Sequence, residues 1–228
     1  MKKTHPNTVK VATILLLGAL VIGLAFPVSA ADEQALVDKA RITFESFMTD
    51  PNLSWLKENM PAAKGLVIVP SLLKAGFIFG GSGGSGVLVV PDAKTGKWSD
   101  PAFYTIGSVS FGLQIGGEAA EVVMYLRTQK AVDSMLSSSV KLGGDTSVTV
   151  GPVGAGAKSN VMADIFSFSR SKGAFAGLAL DGSVVKTRDE WNKNYYGKPV
   201  TPVDILVKRS VNNPGSAELR KTVAGFAK

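Results

Sequence analysis

The chain has 228 residues, 25 of them lysine or arginine and 18 aspartate or glutamate, and 45% of its residues are hydrophobic. It contains no cysteine, and its one histidine is His5. A disulfide-stapled fold and a lipid-modified cysteine are thereby excluded, and once His5 is set aside, so are Ser-His-Asp and Cys-His nucleophiles and the usual zinc ligand sets.

Residues 1–30 read as a cleaved secretory signal peptide. Lys2, Lys3 and Lys10 precede a mainly apolar run of 16 residues from Val11 to Phe26, followed by Pro27 and the small-residue exit Val28-Ser29-Ala30. The run is shorter than the roughly 20 residues a spanning helix needs, and a helix breaker follows it. Residues 31–228 are then expected to form a single domain, exported and periplasmic in a bacterial envelope, and at most peripherally membrane-associated. Without the leader's three lysines that domain carries 22 basic and 18 acidic residues, a net charge of +4. The two signs cancel from Ala31 to Gly197, so the whole excess lies in the tail from Lys198 to Lys228. A basic end on an exported domain points to phospholipid headgroups before nucleic acid.

From Asp32 to Thr49, Leu36, Ala40, Phe44 and Phe47 fall on one helix face. Asp50-Pro51 starts a second short helix through Asn59, which carries Trp55 and Leu56. From Gly65 to about Leu180 the text becomes short β-type runs punctuated by glycine, interrupted by one helix over Thr128–Ser138. Strands are expected at Leu66–Val69, Phe77–Gly80, Val87–Val90, Phe103–Ile115, Glu121–Arg127, Ser147–Val150, Ile165–Ser169 and Ala176–Leu180. Helical pattern returns at Thr187–Tyr196, Pro202–Arg209 and Pro214–Phe226. Strands in succession without intervening helices imply antiparallel pairing. The expected fold is α+β: a strongly curved or barrel-like, mainly antiparallel sheet with N-terminal and C-terminal helices packed around it.

Several short motifs invite a catalytic or cofactor reading. Gly81, Gly83 and Gly86 match a dinucleotide fingerprint, but strand text rather than a helix follows, so a hairpin loop is expected there and no cofactor. The segment Gly151–Ser159 resembles a phosphate loop with one residue too many before Lys158. Ser71-x-x-Lys74 with Lys94-Thr95-Gly96 matches the elements of a serine acyl-transferase, yet only about 20 residues separate them. The carboxylate pairs Glu118/Glu121 and Asp189/Glu190 read as solvated surface charges. At the C-terminus, Leu219, Val223 and Phe226 share one helix face with Arg220, Lys221 and Lys228 available to the other, the pattern of an interfacial helix or of one docked on its own domain.

A set of adjoining segments resembles the SYLF domain family. They are Lys64-Gly-Leu-Val-Ile-Val-Pro70, Lys74-Ala-Gly-Phe-Ile-Phe-Gly-Gly81, Gly84-Ser-Gly-Val-Leu88, Trp98-Ser-Asp-Pro-Ala-Phe-Tyr104, Gly112-Leu-Gln-Ile-Gly116, Lys141-Leu-Gly-Gly-Asp145, Gly151-Pro-Val-Gly154 and Ser169-Arg-Ser-Lys-Gly-Ala-Phe-Ala-Gly177. The resemblance implies a non-enzymatic module that binds anionic phospholipids, phosphoinositides in the eukaryotic members, through basic residues and an N-terminal amphipathic helix. Some fungal members also bind actin, a partner not expected for an exported copy. The resulting headgroup candidates are Lys64 and Lys74, then Arg170 and Lys172, then Lys208, Arg209, Arg220 and Lys221; the candidate membrane-entering residues are Trp55, Leu56, Leu219, Val223 and Phe226. No catalytic or metal-binding residue is expected. An envelope structural or protein-interaction module, with its protein partner unknown, is the alternative, and the serine enzyme the remote one.

Overall fold

The computed structural model describes residues 30–76, 79–111, 116–154, 156–159, 161–171, 174–175 and 178–228. Helix α1 (Ala30–Thr49) buries Ala40, Phe44 and Phe47 completely and leaves Leu36 half-buried, as the spacing predicts. Asp50 then caps a single 3-10 turn, Pro51–Leu53, by accepting from the Asn52 amide at 2.9 Å, and α2 (Ser54–Asn59) follows.

A long hairpin comes next, β1 (Gly65–Gly76) with β2 (Phe79–Val89), and its two outer edges are taken by β3 (Ala102–Phe111), beside β2, and β4 (Gly116–Leu126), beside β1. Helix α3 (Gln129–Met135), capped by the Thr128 hydroxyl, leads to β5 (Ser139–Lys141) and β6 (Val148–Val150). Strands β7 (Ile165–Ser171), β8 (Ala174–Phe175) and β9 (Val184–Thr187) complete the sheet. Helix α4 (Asp189–Tyr196), a π-helical turn at Val203–Val207 and α5 (Ala217–Phe226) close the chain. The strand order is β5-β9-β3-β2-β1-β4-β7-β6, with β8 beside β7, in one curled half-barrel. Every pairing between these strands is antiparallel except β6 with β7.

The strands bury both faces where they run through the body. Leu66, Ile68, Val87, Phe103, Val123, Tyr125, Phe166 and Phe168 meet α1, α2, α4 and α5. On the other face Val67, Val69, Leu88, Tyr104, Val122 and Met124 meet α3, the π-helical turn and Leu180. A bulge in β1 between Ile68 and Ser71 then switches which residues face the helices.

The glycine-rich segment departs from the expectation of a hairpin loop. Gly81, Gly83 and Gly86 lie inside β2, which runs unbroken through two stretches expected as separate strands. Glycine is required there by close approach: a Cβ on Gly84 would stand 2.5 Å from the Ser71 carbonyl oxygen, and one on Gly86 the same distance from that of Ile68. Residues 77–78, which join the two strands in the chain, lie outside the described residues. Of the strand expected at Phe103–Ile115 the described part, through Phe111, is strand and residues 112–115 lie outside the described residues, whereas of the strand expected at Ala176–Leu180 the described part, Leu178–Leu180, is not strand. The pairing that registers in its place is β9, whose burial alternates exposed and buried.

Candidate functional site

The catalytic motifs lose their geometry in the fold. Ser71 and Lys74 lie on a strand, where three residues of separation place side chains on opposite faces, whereas the S-x-x-K mechanism needs both on one. Lys94-Thr95-Gly96 forms a tight turn on Asp92, whose Oδ1 accepts from the amides of Lys94 (3.0 Å) and Thr95 (2.7 Å). Glu118 and Glu121 are likewise split between faces of β4. Gly151 abuts the ring of Phe168, so the phosphate-loop look-alike is packing. A cleft of about 530 Å³ between α3 and α4 contains Asp189, Glu190, Lys193 and Asp204. Its charges are met locally: Asp189 accepts from Thr187, Asp204 from Thr201 and Lys208, and Glu190 pairs with Lys193 at 3.5 Å. Among the described residues no group of three or more His, Cys, Asp or Glu is placed to hold a metal, and no helix is long and apolar enough to cross a membrane.

Most of the basic candidates turn out to be ties within the domain. Arg170 on β7 donates through Nε and Nη2 to Glu121 and through Nη2 to the Ser46 hydroxyl (2.8 Å), and its guanidinium lies 5.1 Å from the centroid of Phe47. It bolts α1 to the sheet. Arg209 adopts φ 51° and donates to the carbonyls of Lys97 (2.9 Å) and Val90 (3.2 Å). Arg220 stands 3.7 Å from Asp100, a buried carboxylate that also accepts from Ser216 and from the Asn213 amide. The basic tail is therefore folded back onto the loop before β3. Lys208 and Lys221 stay exposed beside Asp204 and Glu218, and Lys172 lies outside the described residues.

The apolar candidates are corrected too. Leu56 and Val223 are fully buried and Leu219 nearly so, because α2 and α5 pack on the helix-covered face of the sheet. Trp55 is half-buried with its ring against Phe166 (4.8 Å), Tyr125 (5.5 Å) and Phe168 (6.0 Å), and Phe226 meets Phe44 edge-on at 5.9 Å. Burial in the core leaves Leu56, Leu219 and Val223 unavailable to a bilayer, and packing on the core engages Trp55 and Phe226 in part. The terminal helix is docked on its own domain.

Lys64 and Lys74 bracket β1 and are separated by ten residues of extended chain, about 33 Å, so no single headgroup spans them. Lys74 is half-buried opposite Glu118. Lys64 is exposed at the other end, where its surroundings differ. Its amide donates to the Leu126 carbonyl at 2.9 Å, and one step beyond the Gly65–Leu126 register it stands opposite Arg127. Arg127 Nε donates to the Ala163 carbonyl (2.7 Å) and Nη1 reaches the Met162 sulfur (3.8 Å). Met162 is 80% exposed and Val161 56% exposed. Pro61 and Ala62, just before Lys64, are exposed as well. The nearby acid Asp164 is engaged: it accepts from the hydroxyls of Ser147 (2.7 Å) and Thr128 (2.9 Å) and from Lys130 (3.2 Å). The Ser147 hydroxyl foremost holds its carboxyl well below the usual range. The result is a cationic end rimmed by exposed apolar side chains. Arg127, Val161 and Met162 escaped notice in the sequence because they belong to a strand end and a loop far apart in the chain.

A family profile described as "Ysc84: Las17-binding protein actin regulator" matches residues 107–226, more than half of the chain. The chain belongs to the Ysc84 (SYLF) family. LAS seventeen-binding protein 3 of Saccharomyces cerevisiae is 40% identical to this Ysc84-family chain over 154 residues, covering 64% of the chain and 33% of that protein. SH3 domain-containing YSC84-like protein 1 of Homo sapiens is 38% identical over 151 residues, 63% of the chain and 43% of that protein, and its Bos taurus counterpart 36% identical over 163 residues, 68% and 46%. The chain thus spans between a third and a half of the length of these curated relatives. The family description is of an actin regulator, the relatives' names are of a binding protein and of SH3 domain-containing proteins, and none of these is the name of an enzyme.

Proposed function

We propose that this Ysc84-family chain is an exported, non-enzymatic phospholipid-binding protein of the cell envelope. It lies peripherally on anionic membrane surfaces by the end that carries Lys64. The observation that carries this reading is the juxtaposition there of Lys64 and Arg127 with exposed Met162 and Val161. Ammonium and guanidinium groups attract phosphate, each contributing about 1 kcal/mol near an anionic surface, while the thioether and methyl groups enter the headgroup layer. Unlike the arginines of the tail, Lys64 has no carboxylate beside it in any described ion pair. The family description concerns Las17 and actin; the leader at residues 1–30 directs this chain away from such partners, so the domain carries over and those partners do not.

Co-sedimentation with phosphatidylglycerol-containing vesicles tests the reading. Binding is expected at low salt, with steep loss as salt rises and little retention on neutral phosphatidylcholine. Reversing one cation, Lys64→Glu, is expected to weaken binding about tenfold, and Met162→Ser to weaken it less. Equal retention on neutral vesicles, or none on anionic ones at low salt, overturns the proposal.

A further inference from the structure

In a chain without cysteine the thioether of methionine is the softest nucleophile, and its oxidation follows its exposure to solvent. The methionines are Met1 in the leader, then Met48, Met60, Met124, Met135 and Met162. Met48, Met60, Met124 and Met135 are at most 1% exposed, each inside one of the two hydrophobic clusters, whereas Met162 is 80% exposed. A small oxidant in water therefore meets the Met162 sulfur long before it meets the other four, and no thiol of the chain competes for it.

The surroundings of that sulfur give its oxidation a consequence. Arg127 is anchored through Nε on the Ala163 carbonyl at 2.7 Å, which holds its Nη1 3.8 Å from Met162 Sδ. Thioether sulfur is a weak acceptor, so this contact leaves the guanidinium able to attract phosphate. Arg127 takes part in none of the described salt bridges, and the neighbouring Asp164 is occupied by Ser147, Thr128 and Lys130. The cation and the exposed thioether are thus coupled by contact, and a change at the sulfur is felt by both.

We propose that Met162 is an oxidation site whose sulfoxide releases this end of the domain from a membrane, an inference that rests on the lipid-binding reading above. The oxidant is a peroxide. A sulfur lone pair attacks one peroxide oxygen as the O–O bond breaks; the departing hydroxide removes the proton from the oxygen now on sulfur, giving sulfoxide and water. The sulfide loses a pair of electrons and the peroxide gains it. The side chain that enters the headgroup layer thereby becomes polar. Its new oxygen is a strong acceptor within reach of the Arg127 guanidinium and competes there with lipid phosphate. Reversal takes two thiols, which become a disulfide as the oxygen leaves as water, and without cysteine the chain depends on an external reductant for them.

Hydrogen peroxide added to the purified protein, followed by peptide mass mapping, reads the site. Met162 is expected to gain an oxygen many-fold faster than Met48, Met60, Met124 or Met135, with the circular dichroism spectrum and thermal transition unchanged because the side chain projects from the core. The protein oxidised at Met162 is then expected to bind phosphatidylglycerol-containing vesicles several-fold more weakly than the untreated protein, and a methionine sulfoxide reductase with dithiothreitol to restore binding. Met162→Leu, whatever its own affinity, is expected to bind alike before and after peroxide. Oxidation spread evenly over the methionines, unchanged vesicle binding once Met162 is oxidised, or a peroxide effect that persists in Met162→Leu overturns the inference and leaves the lipid reading standing. Failure of the untreated protein to bind the vesicles overturns the lipid reading itself, and the switch with it.

Discussion

Arg170 shows how little a residue's type says about its task. Its place in a basic cluster suggests a headgroup ligand, but its guanidinium is committed to Glu121, Ser46 and the face of Phe47. Arg170→Ala is expected to lower the unfolding free energy by about 2–3 kcal/mol, because it strands a half-buried carboxylate and removes packing from Phe47. Urea titration measures this, and Arg170→Ala with Glu121→Ala should recover part of the loss. Asp164 makes a second prediction. Its folded pKa lies below the unfolded value of 3.8, so its contribution is present above that pH and is lost as the pH falls toward the folded value. Asp164→Asn should therefore cost on the order of 1–2 kcal/mol at neutral pH and flatten the decline in stability between about pH 4 and pH 2. Burial acts in the opposite sense on a neutral group, pushing the Tyr125 hydroxyl up to about 12.

At the scale of elements, the β1–β2 hairpin depends on where glycine stands rather than on how many glycines there are. At Gly84 and Gly86 the strand crosses the β1 bulge with its backbone close to the carbonyls of Ser71 and Ile68. Either one changed to alanine should cost about 1–3 kcal/mol, since the obstacle is backbone that cannot swing aside. A methyl group added at Gly83 would meet nothing within 4 Å, so Gly83→Ala should be neutral or stabilise by about 0.5–1 kcal/mol. Thermal unfolding of the three variants separates the roles. Helix α5 teaches the complementary lesson. Its amphipathic pattern is the same whether its apolar face meets lipid or its own core, and only contact with Phe44 and α1 resolves which.

For the whole molecule, the basic tail suggested an electrostatic anchor and the fold dismantles it. Arg209 and Arg220 close the chain back onto the loop carrying Asp92 and Asp100, and the exposed cation with apolar company is at the opposite kind of place, a strand end beside a loop.

Local pattern was enough to read the N-terminal helix pair, the α+β class and the mainly antiparallel sheet. These depend on periodicity, capping and composition, which act between near neighbours. The passage of β2 through its glycines, the burial of Leu56, Leu219 and Val223, the commitment of Arg170, Arg209 and Arg220 to internal partners, and the meeting of Lys64 with Arg127 and Met162 became visible only in the folded chain. Each depends on which distant strand or helix lies alongside, a pairing that the energetics of the assembled core select and that no short stretch of residues encodes.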